Sequence, residues 1–244
     1  MKKIIALLVV ASTFFVSCDD IDTANVSSIT NYPLITVIGS NPIFVPLGGT
    51  YTDPGAVATE NGAPIAFTSV GSGNYRKATT IDTNIADEYS QTYTASNKDG
   101  FKASAVRKVI VYKTGDLVNS IEGVYTCTIS RNGVTPSNAY RNIKYIYIWK
   151  NTDGSYEISD SFGGWYQYGR GLGLSYITPG AKIIANNIAT NDFSFPGTQS
   201  NLGFGGSSDI TSLTVNATTK TLVLTTSWDA GPYIFVGTLT QVQL

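Results

Sequence analysis

Apolar and polar residues alternate one by one through long parts of the chain, which is the period of a strand with one face buried. In Tyr89-Ser90-Gln91-Thr92-Tyr93-Thr94-Ala95, the residues Tyr89, Gln91, Tyr93 and Ala95 share one face, and Ser90, Thr92 and Thr94 share the other. Asn97-Lys98-Asp99-Gly100 supplies a hairpin turn, and Ala103–Tyr112 returns as a long strand carrying Val106, Val109, Ile110 and Val111. Upstream, Leu34–Ile38 and Ile65–Val70 are shorter extended runs separated by the turn signals Asn41-Pro42 and Gly48-Gly49. Strands and turns at this spacing predict a β-sandwich over residues 32–114.

The pattern resumes after a short linker. Tyr145-Ile146-Tyr147-Ile148-Trp149 puts three aromatic rings on one face and two Ile on the other, so both faces are apolar enough to be covered. Asn151-Thr152-Asp153-Gly154 is a hairpin turn, and Asn216-Ala217-Thr218-Thr219-Lys220 is another, between Leu213–Val215 and Leu222–Leu224. Residues 118–244 are expected to form a meander of about eight antiparallel strands. Its first strand, around Ile121–Tyr125, and its last, Tyr233–Val242, can pair, giving an antiparallel β-sandwich or a flattened β-barrel. The whole chain is expected to be all-β.

Composition agrees and narrows the chemistry. Of 244 residues only 14% are charged, while 15 are Tyr and 24 are Gly, a mixture that favours pleated strands and tight turns. The chain has no His, which excludes a Ser-His-Asp or Cys-His relay and a His-ligated zinc site. A formal charge of -1 lacks the basic excess that a phosphate backbone requires, so nucleic acid is not an expected partner.

Met1-Lys2-Lys3 followed by the uncharged run Ile4–Val16 is a positive segment and an apolar segment too short to span a bilayer, and residues 1–17 read as a signal peptide. Phe15-Val16-Ser17-Cys18 resembles the lipobox of bacterial lipoproteins, in which the Cys after a small residue is lipidated and becomes the mature N-terminus. Phe15 and Val16 depart from the usual residues at their positions, whereas Ser17 fits. Cleavage before Cys18 takes away Lys2 and Lys3 and leaves 14 basic against 17 acidic residues. Cys127 is then the one unmodified thiol, and it is expected to be a buried apolar residue in a strand. Residues 18–31, polar and aperiodic, read as a flexible tether. Asp19, Asp20 and Asp22 beside the lipid site resemble the surface-export signal of outer-membrane lipoproteins, which implies a cell-surface location and contact with the membrane through the lipid alone.

Leu34-Ile35-Thr36-Val37, Thr50-Tyr51-Thr52-Asp53-Pro54-Gly55-Ala56 and Tyr89–Gly100 resemble the immunoglobulin-like modules of bacterial surface proteins. The resemblance implies an immunoglobulin-like β-sandwich acting as a spacer or interaction module. Glu60-Asn61-Gly62-Ala63-Pro64 lacks the Asp-rich loop of many relatives, so Asp53 and Asp99 are expected to be turn residues and no metal is expected.

The second domain holds all three Trp, nine of the Tyr and five of the 10 Phe, but only 14 of the 33 charged residues. In layout and composition it resembles the C-terminal domains of two-domain surface lipoproteins that accompany outer-membrane glycan importers, which implies an outer-membrane transport partner. In Phe162-Gly163-Gly164-Trp165-Tyr166-Gln167-Tyr168-Gly169-Arg170-Gly171, aromatics and an Arg stand among glycines. Pyranose faces pack on such rings while polar side chains bond the rim hydroxyls, so Trp165, Tyr166, Tyr168 and Arg170 are ligand-binding candidates, with Trp228 and Asp229 as a second set. The alternative is a hairpin whose aromatics pack into the core. Gly197–Asp209 reads as a mobile surface loop.

No catalytic pair stands out among Glu122, Asp153, Glu157, Asp160, Asp192, Asp209 and Asp229, and no cofactor motif is present. Glu157 and Asp160 are expected on opposite faces of one strand. Noncatalytic capture of a poly- or oligosaccharide is the leading expectation. Its rivals are an adhesin or accessory subunit that docks a protein, and a carboxylate-dependent glycan hydrolase.

Overall fold

The computed structural model describes residues 29–244. The expected signal peptide at 1–17, the expected lipidation site Cys18 and most of the expected tether lie outside the described residues. The first domain comprises β1 (Pro33–Val37), β2 (Ile43–Pro46), β3 (Ala56–Glu60), β4 (Ala63–Pro64), β5 (Phe67–Gly73), β6 (Asp87–Ser96) and β7 (Lys102–Tyr112). They form two sheets, ordered β1-β3-β4 and β2-β7-β6-β5, with β2 parallel to β7 and the other pairs antiparallel. The alternation read in Tyr89–Ala95 holds: Tyr89, Tyr93 and Ala95 are buried. Tyr89 packs with Val45, Val109 and Val111 on one face of the four-stranded sheet, with Tyr51, Ala78 and Ile81 against them.

One polar pair sits inside this sandwich. The Arg107 side chain on β7 is wholly buried, and a buried cation persists only when it is paired and fully hydrogen-bonded. Its guanidinium donates to the carbonyls of Ile38, Ser40 and Gly55 and to the Tyr93 hydroxyl, and it pairs with Asp53 at 3.4 Å. Asp53 does turn the chain, accepting from the Gly55 N–H at 3.0 Å, but it is also the counter-ion that makes Arg107 tolerable there.

The second domain comprises β8 (Gly123–Arg131), β9 (Ile143–Lys150), β10 (Tyr156–Ile158), β11 (Ala181–Asn187), β12 (Asp192–Ser194), β13 (Gln199–Asn201), β14 (Gly205–Asn216), β15 (Thr221–Trp228) and β16 (Tyr233–Gln241). All nine form one antiparallel sheet, ordered β12-β11-β10-β9-β8-β16-β15-β14-β13. The first and last strands pair as the sequence implies, with Leu239 opposite Cys127. The two free edges, β12 and β13, are consecutive in the chain, and the sheet curls until Asn191 beside β12 accepts from the Val215 N–H of β14 at 2.6 Å. A single curled sheet therefore replaces the two-layer alternative. The segment expected to be a mobile loop, 197–209, contains β13 and the start of β14 and is ordered by their ladder.

β9 is covered on both faces, each by a different domain. Ile146 and Ile148 enter the core of the curled sheet with Tyr125, Cys127 and Leu222. Tyr147 and Trp149, with Tyr145 beside them, turn outward against Ile110, Phe44, Tyr75 and Tyr112 of the first domain. The rings of Phe44 and Tyr145 lie 5.7 Å apart and those of Tyr75 and Tyr147 5.5 Å apart. Lys113 pairs with Glu122 at 3.1 Å at the edge of this joint.

Candidate functional site

The connection between β10 and β11, residues 159–180, folds inward and plugs one mouth of the curled sheet. Asp160 organises it. This carboxylate is fully buried beyond the end of β10, and it accepts from the N–H groups of Phe162, Gly164 and Thr178, each at 3.0 Å. It is therefore not on a strand with Glu157, which lies in β10. Burial pushes its pKa up to about 6, partly offset by the three N–H donors. Gly163 has φ +59°, and a Cβ there would lie 2.9 Å from the Cys127 Sγ, so only glycine lets the plug approach β8 this closely. The Cys127 thiol is buried, and that burial raises its pKa.

A π-helical turn, Trp165–Gly169, follows. Trp165 and Tyr166, expected as an exposed platform, are instead core residues: Trp165 is 2% exposed and its ring lies 4.2 Å from that of Tyr140. The reason is the Asp160 clamp, which points the Gly-rich turn into an apolar mouth already walled by Phe235 and Phe162, stacked 4.3 Å apart. Tyr168 faces the first domain, its hydroxyl 3.4 Å from that of Tyr75, while Gln167 donates to the Tyr75 hydroxyl at 2.9 Å. Arg170 is exposed.

Trp228 is a core residue as well. It ends β15 opposite Tyr233, it is 6% exposed, and its indole N–H donates to the Gly205 carbonyl at 3.1 Å. Its ring sits among Phe162, Tyr166, Phe204 and Tyr233, at 5.5, 5.8, 6.3 and 5.9 Å. The six expected residues thus divide: Trp165, Tyr166 and Trp228 are inside, Tyr168 lies at the domain joint, and Arg170 and Asp229 reach solvent at the mouth.

A groove of about 510 Å³ runs beside the β15–β16 hairpin, lined by Ser207, Asp209, Ser227, Trp228, Asp229, Pro232, Tyr233 and Ile234. Asp209, Ser227 and Ile234 are register partners across β14, β15 and β16, so they share the outer face of the sheet. Asp229 accepts from the Ser207 N–H at 2.7 Å and Asp209 from the Thr198 hydroxyl at 2.7 Å, each through Oδ1. Beside the plug, Phe204 is 51% and Leu202 61% exposed, and the Phe204 ring is 5.0 Å from that of Tyr166. Sequence reasoning did not single out Asp209, Phe204 or Tyr233 as binding candidates. Phe204 had a signal, since Gly203-Phe204-Gly205-Gly206 is another aromatic set among glycines.

Two sheets of immunoglobulin type followed by a curled antiparallel sheet define the chain as a two-domain all-β protein. Residues 35–111 match the family model of the bacterial surface protein, Ig-like domain. Residues 114–241 match a second model, described as a C-terminal domain, and because this match spans more than half of the chain the protein belongs to that family. Among solved structures, the chain is similar to the crystal structure of the lipoprotein BT2262 from Bacteroides thetaiotaomicron. The identity is 25% and the TM-score 0.62, over 86% of this chain and all of that one. No curated protein matches the chain.

Proposed function

We propose that the protein is a lipoprotein anchored through Cys18 to the outer face of the outer membrane, where it captures glycan without cleaving it. The lipobox-like Phe15-Val16-Ser17-Cys18 and the likeness to a lipoprotein support the anchor. The groove on the β15–β16 hairpin carries the binding reading. It combines two exposed carboxylates and two hydroxyls, which bond sugar hydroxyls, with the side of a half-buried Tyr ring, in a volume suited to one or two sugar rings. In this reading the first domain spaces the groove from the membrane, and an outer-membrane transporter receives what it holds.

The test is retention of a panel of plant, host and microbial polysaccharides by the chain from Cys18 onward, with released sugar assayed in the same wells. Retention that is lost in Tyr233→Ala and in Asp229→Asn, without sugar release, is the expected result. Sugar release would replace capture with hydrolysis. A second reading, docking of a protein, is favoured by one observation: Leu172, Leu174, Leu202 and Phe204 are exposed apolar side chains, and Leu202 and Phe204 adjoin the plug. Silence across the panel would move the assignment there.

A further inference from the structure

The mouth carries a charge arrangement that the groove does not use. Arg131, the last residue of β8, is the register partner of Phe235 and so projects to the inner side of the sheet at its mouth. Its guanidinium carbon lies 4.1 Å from the centre of the Tyr233 ring and 5.0 Å from that of Trp165. It donates one side-chain hydrogen bond, to the Tyr166 hydroxyl at 3.4 Å. A guanidinium has five N–H donors, and the others find no acceptor among the described residues. Stacking on rings satisfies the flat faces of the group but leaves its edge, where the N–H groups point, open to a further partner.

No carboxylate lies within 4 Å of Arg131 or Arg170 among the described residues, whose ion pairs are those of Arg107, Lys108, Lys113 and Lys182. Arg170 caps the π-helical turn that carries Tyr166, its side chain exposed and its backbone N–H donating to the Trp165 carbonyl. Both guanidinium groups act on the same phenol: burial raises the Tyr166 pKa, and the charges of Arg131 and Arg170 oppose that rise. The groove carboxylates Asp209 and Asp229 already accept from Thr198 and Ser207. Arg131 in contact with the Tyr166 hydroxyl, and the exposed Arg170 four residues further along the same turn, form a local positive field with no carboxylate paired to either, and planar guanidinium edges match the paired oxygens of a carboxylate or sulfate.

We propose that Arg131, Arg170 and the Tyr166 hydroxyl form an oxyanion subsite that takes the carboxylate or sulfate group of an acidic glycan. The identity of the ligand as a glycan rests on the capture function proposed above. The subsite itself rests on the unpaired guanidinium groups.

The experiment is titration of the chain from Cys18 onward with polygalacturonate and with chondroitin sulfate, each beside its carboxyl-reduced or desulfated counterpart. Inorganic sulfate alone is titrated in parallel and followed by the fluorescence of Trp165, against which Arg131 stacks. The acidic polymers are expected to bind about tenfold more tightly than their neutralised counterparts, and Arg170→Gln to remove that preference. Arg131→Gln should do the same; because Arg131 is packed between rings and its loss could unfold the mouth, the exposed Arg170 variant decides. Uronate and sulfate arms that differ identify which oxyanion is recognised. Equal binding of acidic and neutral polymers, or an unaffected Arg170→Gln variant, overturns the subsite and leaves glycan capture standing. Saturable fluorescence change with sulfate but no retention of any glycan upholds the subsite and overturns glycan as its source. Silence in every arm overturns both.

Discussion

The Tyr147 hydroxyl of β9 donates to the Glu88 carboxylate of β6 at 2.6 Å, so a strand of the second domain satisfies a buried carboxylate of the first. Glu88 also accepts from Asn74 at 2.8 Å and pairs with Lys108 at 3.1 Å, and the surrounding rings of Tyr75 and Trp149 exclude water. Tyr147→Phe keeps the ring packing and deletes this one bond to a charged acceptor. Its expected cost is about 1.5–3 kcal/mol, read by urea unfolding. An unchanged midpoint would show that the joint is held by its rings alone.

Asp160 and Asp87 make stability depend on pH in an unusual direction. Burial raises both pKa values to about 6, so between about pH 4 and pH 6 the folded chain holds protons that the unfolded chain has released. The unfolded state then binds fewer protons, and stability falls as pH rises through that window, by about 1.4 kcal/mol per carboxyl for each tenfold difference in proton affinity between the folded and unfolded states. Asp160→Asn removes one of these titrations. Urea midpoints measured at several pH values from 4 to 7 should fall less steeply in the variant, with the residual slope including the Asp87 contribution. Parallel profiles in the two proteins would show that Asp160 does not titrate there.

Trp165→Ala should behave as a core truncation, costing about 3–5 kcal/mol, because the ring is sealed against Tyr140 and Phe235. The same burial predicts that acrylamide quenches the native protein weakly, since Trp149, Trp165 and Trp228 are all buried. Strong quenching in the folded state would contradict the inward plug.

Gly163→Ala should destabilise by about 1–3 kcal/mol, from a left-handed φ and from collision with the Cys127 sulfur. Cys127→Ala removes the atom in the way, so the double variant should recover part of the loss. Strict additivity would mean that the sulfur contact contributes nothing and that the cost lies in backbone strain and the Ile129 contact at 3.1 Å.

The alternation of Tyr89–Ala95, the hairpin signals at Asn97–Gly100 and Asn216–Lys220, and the pairing of the first and last strands of the second domain were all legible along the chain. A period of two assigns side chains to faces, and turn residues mark where the chain reverses. The same rule showed that both faces of Tyr145–Trp149 must be covered, but it contains no information on what covers them. Tertiary structure decided that one face meets the core and the other meets Ile110 and Tyr75 of a separate domain.

The run Phe162–Gly171 shows the limit most directly. A turn rich in glycine can fold outward as a platform or inward as a plug, and its local composition suits either. The choice was made by Asp160, whose three backbone donors come from Phe162, Gly164 and the distant Thr178. Likewise, nothing in Ser130-Arg131-Asn132 marks Arg131, because its stacking partners Tyr233 and Trp165 are far away in the chain. The sequence by itself determined the all-β class, the two domains and the strand faces, which follow from local periodicity. The closed mouth, the buried Trp and the stacking of Arg131 on Tyr233 and Trp165 were decided only by long-range packing, which unites residues that no spacing connects.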